Sequence, residues 1–269
     1  MNKFTVLTSL FNSEQFIDQY FDTIFSQKIL PTEIILIDDT NNSKDLDEIL
    51  NKKKFLYKFK NIILIKNYKN LGPAISLNIG LKFCSNDLIF RLDVDDTWSS
   101  DHTSKMIKCY QENNNFLIYA VSLKKKNFLT NLKCDDYFIN ENHLIHSSWL
   151  INRTICRNFR YHMLQPKVAL EDYFTLLYYY SKNFKFFCTH DQTVQYNFVD
   201  NSHGRIFSKN ISYLRIRKLI SRLFLKTNLR NKETFLKKIK FFLCDYGIIK
   251  YLILQFWILD KIYLRKLLR

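Results

Sequence analysis

The sequence predicts an α/β protein on a Rossmann-like, mostly parallel sheet with flanking helices, and three observations carry that expectation. Short β-rich runs alternate with helical patterns through the first hundred residues, the runs read as buried strands, and acidic pairs stand at their carboxyl ends. Phe4 to Thr8 is the first strand. Ser13 to Ser26 follows as a helix with Phe16, Ile17, Tyr20, Phe21 and Ile24 as its apolar positions, and Glu33 to Ile37 is a second strand. Ile62 to Ile65 is a third, and the helix Pro73 to Phe83 opens on a proline, which is favourable at the first helical position. Leu88 to Leu92 is a fourth strand. In such sheets ligands bind beyond the carboxyl ends of the strands, where these acidic residues fall. After Asp101 the pattern becomes mixed: a helix from Thr103 to Gln111, strand-like runs Phe116 to Ser122, His146 to Ile151 and Phe184 to Thr189, and a helix from Ala169 to Tyr180. From about Ile206 onward the chain reads as helical, with Ile216, Leu219, Ile220 and Leu223 on one stripe and Arg215, Lys218, Arg222 and Lys226 marking another face.

A chain of 269 residues can bury a sizeable core, and 4 Gly and 3 Pro argue against collagen-like or linker-rich architecture. The formal charge of +16 is concentrated at one end: residues 205–269 carry 17 Lys and Arg against 3 acidic residues, a net +14, which leaves the first 204 residues nearly neutral. Two parts are therefore expected, a folded body over 1–204 and a basic amphipathic helical segment over 205–269. A nucleic-acid-binding domain would carry its basic face on the folded body, so this distribution favours an acidic surface as partner and no nucleic acid. The 6 cysteines are widely scattered without a C-x-x-C pair, which implies a reducing compartment. The first apolar stretch is too short for a secretion signal and runs directly into Asn12, Glu14 and Asp18, so no export is expected.

The strongest local signal is Arg91-Leu-Asp93-Val-Asp95-Asp96-Thr97-Trp98. On an extended strand Arg91, Asp93 and Asp95 would share a face and Asp96 would turn away. Two adjacent carboxylates repel, and Mg²⁺ or Mn²⁺, which take oxygen ligands and keep positions open for phosphate, would relieve that repulsion. The same residues also suit an acidic turn in which Arg91 pairs with Asp93 and Asp96 or Ser100 caps the next helix. Asp38 and Asp39 close a buried strand, where a carboxylate accepts from a nucleobase or ribose, or else caps a helix. Glu171-Asp172 begins a helix, a place where the macrodipole favours negative charge regardless of function. His146, His190 and His203 have no metal-site spacing and read as ordinary polar or core histidines. No P-loop, G-x-G-x-x-G or G-x-S-x-G is present.

Taken in order, Thr5 to Asn12, Gln27 with Pro31, Glu33-Ile-Ile-Leu-Ile-Asp38-Asp39, Asn70-Leu-Gly72-Pro-Ala-Ile-Ser-Leu-Asn78-Ile-Gly80, Arg91-Leu-Asp-Val-Asp-Asp96 and Glu171-Asp172 resemble the inverting family 2 glycosyltransferases of GT-A fold. The likeness covers about residues 3 to 203 and points to the type that builds bacterial surface polysaccharide, such as lipopolysaccharide O-antigen or capsule. It implies a nucleotide-sugar donor, with a UDP-sugar first, and a glycan or lipid-linked glycan acceptor. By that resemblance Thr8, Asp38, Asp39, Asn78, Arg91 and Asp93 hold the donor, Asp95 with Asp96 forms the divalent-metal end of a D-x-D motif, and Asp172 is the general base. The stretch from Leu123 to His146, which the resemblance turns toward the acceptor, carries no legible pattern.

The basic segment has bulky apolar residues between its charges, and its most apolar part, Tyr246 to Leu259, is interrupted by Lys250 and Gln255 and is shorter than the roughly 20 residues that span a bilayer. An amphipathic segment lying on an anionic membrane fits, placing a cytoplasmic protein at the inner face of the cell membrane. Packing on the body or in a homodimer is the competing use of such helices. Two other functions stay in play at this level. Asp93-Val-Asp-Asp-Thr97 also resembles the nucleophile motif of haloacid-dehalogenase-like phosphatases, although that motif usually ends the first strand of its domain and three strand-like runs precede it here. The basic segment could alternatively serve a nucleic-acid-binding protein.

Overall fold

The computed structural model describes residues 3–40, 44–56, 59–121, 144–162, 171–180, 182 and 184–195. The predicted basic segment, His203 and most of the acceptor-facing stretch lie outside these residues. The elements are β1 (Phe4–Leu10), α1 (Ile17–Phe25), β2 (Glu33–Asp38), α2 (Lys44–Leu56), β3 (Ile62–Lys66), α3 (Pro73–Leu81), β4 (Leu88–Arg91), β5 (Thr97–Trp98), α4 (His102–Glu112), β6 (Ile118–Val121), β7 (Leu150–Asn152), α5 (Glu171–Tyr180), β8 (Phe186–Thr189) and β9 (Val194–Gln195).

Seven strands form one sheet in the order β3-β2-β1-β4-β7-β6-β8, and β5 pairs with β9 in a separate ribbon. β3, β2, β1 and β4 run parallel, β7 is antiparallel to both its neighbours, and β8 is parallel to β6. The order reverses between β1 and β4. Crossovers leave in opposite directions there, and the loops after the two strands diverge to open a crevice.

The strands alternate their side chains between two apolar layers. Phe4, Val6, Ile34, Leu36 and Phe90 pack against Ile17, Tyr20, Phe21 and Ile24 of α1 and Met106 and Ile107 of α4. Leu7, Ile35, Ile37 and Ile89 face Ala74, Leu77 and Leu81 of α3 and Leu176 and Tyr179 of α5. The α1 residues stand at i, i+3, i+4 and i+7, the spacing of one helical face, which is why the sequence pattern located this helix. Helix α2 was not anticipated, because its buried Leu46 and Leu50 sit in a run dominated by Lys, Asp, Glu and Asn.

Gly80 sets the distance between α3 and the sheet. A Cβ there would lie 2.5 Å from Ile37 Cδ1 and 2.5 Å from Leu7 Cδ1, the ends of two fully buried side chains. Gly80→Val is expected to destabilise the fold by about 2–3 kcal/mol through overpacking. Gly80→Ala should cost less, because alanine gains about 1 kcal/mol of helix propensity over glycine. Urea midpoints of the two variants check this, and a wild-type midpoint for the valine variant would show that the layer can open.

Candidate active site

The crevice is walled by the turns that follow β1, β2 and β4. Asp39 organises one wall: its Oδ1 accepts from Asn67 Nδ2 at 2.9 Å and from the Leu71 amide at 2.7 Å, and its Oδ2 accepts from the Gly72 amide at 2.8 Å. This clamp presents the loop into α3, where Gly72 takes a φ of 85°, a left-handed value natural to glycine, directly before Pro73. Asp38 accepts from the Thr40 amide at 2.9 Å, and Thr40 Oγ1 accepts from the Asn12 amide at 3.0 Å. Asn12 has a φ of 48°, which its short polar side chain tolerates.

The acidic motif is not the extended run that the alternation argument assumed. β4 ends at Arg91, and Asp93 to Asp96 form a turn closed by a hydrogen bond from the Asp96 amide to the Asp93 carbonyl at 3.1 Å. Arg91 lies wholly inside the protein, where its guanidinium pairs with the Asp93 carboxylate and donates to the Leu92 carbonyl. That carbonyl also accepts from Thr8 Oγ1 at 2.8 Å. Because Thr8 gives its only proton to Leu92, the Tyr20 hydroxyl, 2.9 Å away, is the donor to Thr8. Burial raises the Tyr20 pKa and keeps it a phenol able to donate. Thr8 and Tyr20 thus brace the acidic turn from beneath.

Ser147 holds the turn from the opposite side. Its Oγ accepts from the Asp93 amide at 3.1 Å, stands 3.0 Å from Asp93 Oδ2, and makes a still closer contact with Asp96 Oδ2. Its carbonyl accepts from Trp98 Nε1 at 2.6 Å. Asp96 is 1% exposed and faces this hydroxyl, whereas Asp93 and Asp95 are only partly buried. Burial and the Asp93 charge push Asp95 up to about 6, as expected of two carboxylates crowded together. Mg²⁺ is commonly bound through one or two carboxylates with phosphate and water completing the shell, so Asp93 and Asp95 fit a divalent cation as a donor set. No group of three or more His, Cys, Asp or Glu side chains that could hold a metal by themselves occurs among the described residues.

Helix α5 brings the second acidic pair to the same place. His146 Nδ1 lies 3.8 Å from Asp93 Oδ2 and 3.8 Å from Glu171 Oε1, so one imidazole stands between the motif after β4 and the start of α5. Burial and the neighbouring Asp172 push Glu171 up to about 8, while burial and the Arg91 charge push His146 down to about 3. At neutral pH Glu171 therefore largely keeps its proton and His146 is uncharged. Asp172, next in sequence, is the more exposed of the two acids, and its Oδ1 accepts from the Tyr173 amide at 2.7 Å. Asn78 reaches this wall from α3: it donates to the Tyr161 carbonyl at 2.9 Å and accepts from the Tyr161 amide at 2.7 Å.

Residues 5–181 match the sequence model of glycosyl transferase family 2. The chain belongs to that family. An uncharacterized glycosyltransferase of Methanocaldococcus jannaschii is 25% identical over 280 residues, covering 98% of this chain and 91% of its own. The Escherichia coli UDP-Gal:alpha-D-GlcNAc-diphosphoundecaprenol beta-1,3-galactosyltransferase is 30% identical over 96 residues, 35% of this chain and 34% of the relative. Among solved structures, S. aureus TarS in complex with UDP-GlcNAc aligns with a TM-score of 0.61 at 15% identity over 83% of this chain and 70% of that one. The mannosyltransferase from Pyrobaculum calidifontis in complex with GDP-Man and Mn²⁺ aligns at 0.59 and 15% identity over 83% and 62%. These two share the fold, a GT-A sheet.

For this family 2 glycosyltransferase the phosphatase reading of Asp93 falls away, since residues 5–181 are accounted for by a transferase family and Asp93 follows the fourth strand. The site unites Thr8, Arg91, Asp93, Asp95 and Asp96 with Glu171 and Asp172, while Asp38 and Asp39 form a neighbouring wall. Sequence reasoning missed His146 and Ser147 as members of the site. Residues this far from Asp93 in sequence, 54 positions for Ser147, give no spacing signal, and only the pairing of β4 with β7 brings them there. No helix among the described residues is long and apolar enough to cross a membrane.

Proposed function

We propose that the chain is a divalent-metal-dependent inverting glycosyltransferase that moves a sugar from a nucleotide-sugar donor, a UDP-sugar first, to a hydroxyl of a glycan or lipid-linked glycan in bacterial surface-polysaccharide synthesis. The observation that carries this reading is the meeting of two acidic groups at one crevice, Asp93 and Asp95 after β4 and Glu171-Asp172 at the head of α5. Inverting transfer needs both, one to receive the donor's diphosphate end and one to activate the acceptor. The M. jannaschii relative supports the reaction class over nearly the full chain, and the E. coli relative's name supports a UDP-sugar and a diphosphate-linked lipid acceptor.

In this mechanism Asp93 and Asp95, rather than the Asp95–Asp96 pair that the motif suggests, would hold Mg²⁺ or Mn²⁺, because Asp96 is buried against Ser147. Bound there, such a cation supplies positive charge that stabilises the departing nucleoside diphosphate. Arg91 keeps Asp93 ionised and aimed, and Ser147 fixes the turn, with Asp96 serving as its internal anchor. Thr8, Asp38, Asp39 and Asn78 shape the donor side, Asp39 by clamping Leu71 and Gly72 and Asn78 by holding Tyr161. Asp172 takes the proton from the acceptor hydroxyl as that oxygen attacks the anomeric carbon, and a single displacement inverts the centre. Glu171 is poorly suited to that task, since burial leaves it protonated at neutral pH. Residues 205–269 form a separate basic segment that lies on the anionic inner face of the cell membrane, bringing a body over 1–204 to its acceptor.

A thermal-shift panel of UDP, GDP, dTDP and CMP with and without Mn²⁺ tests the reading. Stabilisation by one nucleoside diphosphate only with metal is expected, and it identifies the donor class. A folded protein that responds to none of them, with or without acceptor glycolipid present, would count against it.

A further inference from the structure

We propose that His146 is a positioning residue for transfer, tying the donor-side turn at Asp93 to the head of the helix that carries Asp172. The inference rests on the transferase reading and adds a residue to it. Three contacts define the ring. Its Nε2 lies 3.3 Å from the Tyr161 hydroxyl, its edge packs on Trp149 at 4.7 Å between centroids, and its Nδ1 stands 3.8 Å from both Asp93 Oδ2 and Glu171 Oε1.

The proton arrangement follows from these partners. Burial raises the Tyr161 pKa, so its hydroxyl keeps its proton and can donate to Nε2. With the Tyr161 hydroxyl donating to Nε2, the ring N–H sits at Nδ1. Nδ1 stands between two carboxyl groups from different elements, at equal distances beyond ordinary hydrogen-bond reach. It can close on one of them at a time. The ring therefore faces one carboxyl group from each of the two elements whose separation sets the geometry of transfer. Asp93 is held by Arg91 and Ser147 and Tyr161 by Asn78, while Glu171 stands at the first position of α5. When the Nδ1 proton engages Glu171, the adjacent Asp172 is set relative to the donor.

The test compares His146→Phe, which keeps a flat ring without either nitrogen, with His146→Gln, which keeps a donor and an acceptor. Full-length wild type and both variants are titrated with UDP, GDP, dTDP and CMP in the presence of Mn²⁺, and kcat and KM are measured with the sugar derivative of whichever nucleotide binds. Outer-shell partners of a site typically change activity by about 10–100-fold. His146→Phe is expected to lose kcat in that range while nucleotide affinity and donor KM change by less than about threefold, and His146→Gln to recover at least about a third of the loss on a logarithmic scale. Unchanged kcat in the phenylalanine variant would overturn the proposal, as would a loss confined to nucleotide affinity or equal losses in both variants. Wild-type protein that binds none of the four nucleotides would instead sink the transferase reading, and this inference with it.

Discussion

Asp172→Asn is expected to lower sugar transfer by about 10²–10⁴-fold, the usual contribution of a positioned general base, with nucleotide binding retained. The substitution keeps the shape of the side chain and its capacity to accept from the Tyr173 amide at 2.7 Å, so the head of α5 should stay intact. What it removes is the ability to accept a proton as the acceptor oxygen attacks. A transfer assay run beside nucleotide titration checks it: the first signal collapses and the second does not. Transfer at the wild-type rate would move the base elsewhere, with Glu171, despite its proton at neutral pH, as the nearest alternative.

Asp95→Asn should lower kcat/KM by about a hundredfold, or ~2.7 kcal/mol, and make nucleotide binding indifferent to Mn²⁺. Asp95 is partly exposed and crowded by Asp93, and neutralising it removes half of the charge pair on which cation affinity depends. Asp96→Asn should behave differently. Its buried carboxylate belongs to Ser147, so the expected signature is a loss of stability with metal dependence preserved. Calorimetric titration of UDP or GDP with and without Mn²⁺ separates the two, and retained metal dependence in the Asp95 variant would place the cation on other ligands.

The fold was legible because its signals are local. The alternation of strand and helix from Phe4 to Leu92 and the i, i+3, i+4, i+7 spacing of α1 can each be read within a single window of sequence, and they sufficed to predict the parallel half of the sheet. Less was legible where the signal is weak or non-local. Helix α2 hides two buried leucines in a charged run, and β5 and β9 are two residues each, held by a pairing between Thr97 and Gln195. The strand expected to include Leu92 stops at Arg91 because the guanidinium draws the Asp93 carboxylate back into a turn.

By itself the sequence determined the α/β class, the placement of acidic groups at strand ends, and, through motif order, the transferase family. Which carboxylate faces outward was decided by tertiary structure alone. Asp95 and Asp96 are adjacent and chemically identical, and no local rule ranks them. The Ser147 hydroxyl, delivered by the antiparallel pairing of β7 with β4, takes Asp96 into the interior and leaves Asp95 beside Asp93. The role of His146 arises the same way. A histidine acquires its chemistry from the groups around it, and those groups, Asp93, Glu171 and Tyr161, come from three separate segments that meet only when the sheet is assembled.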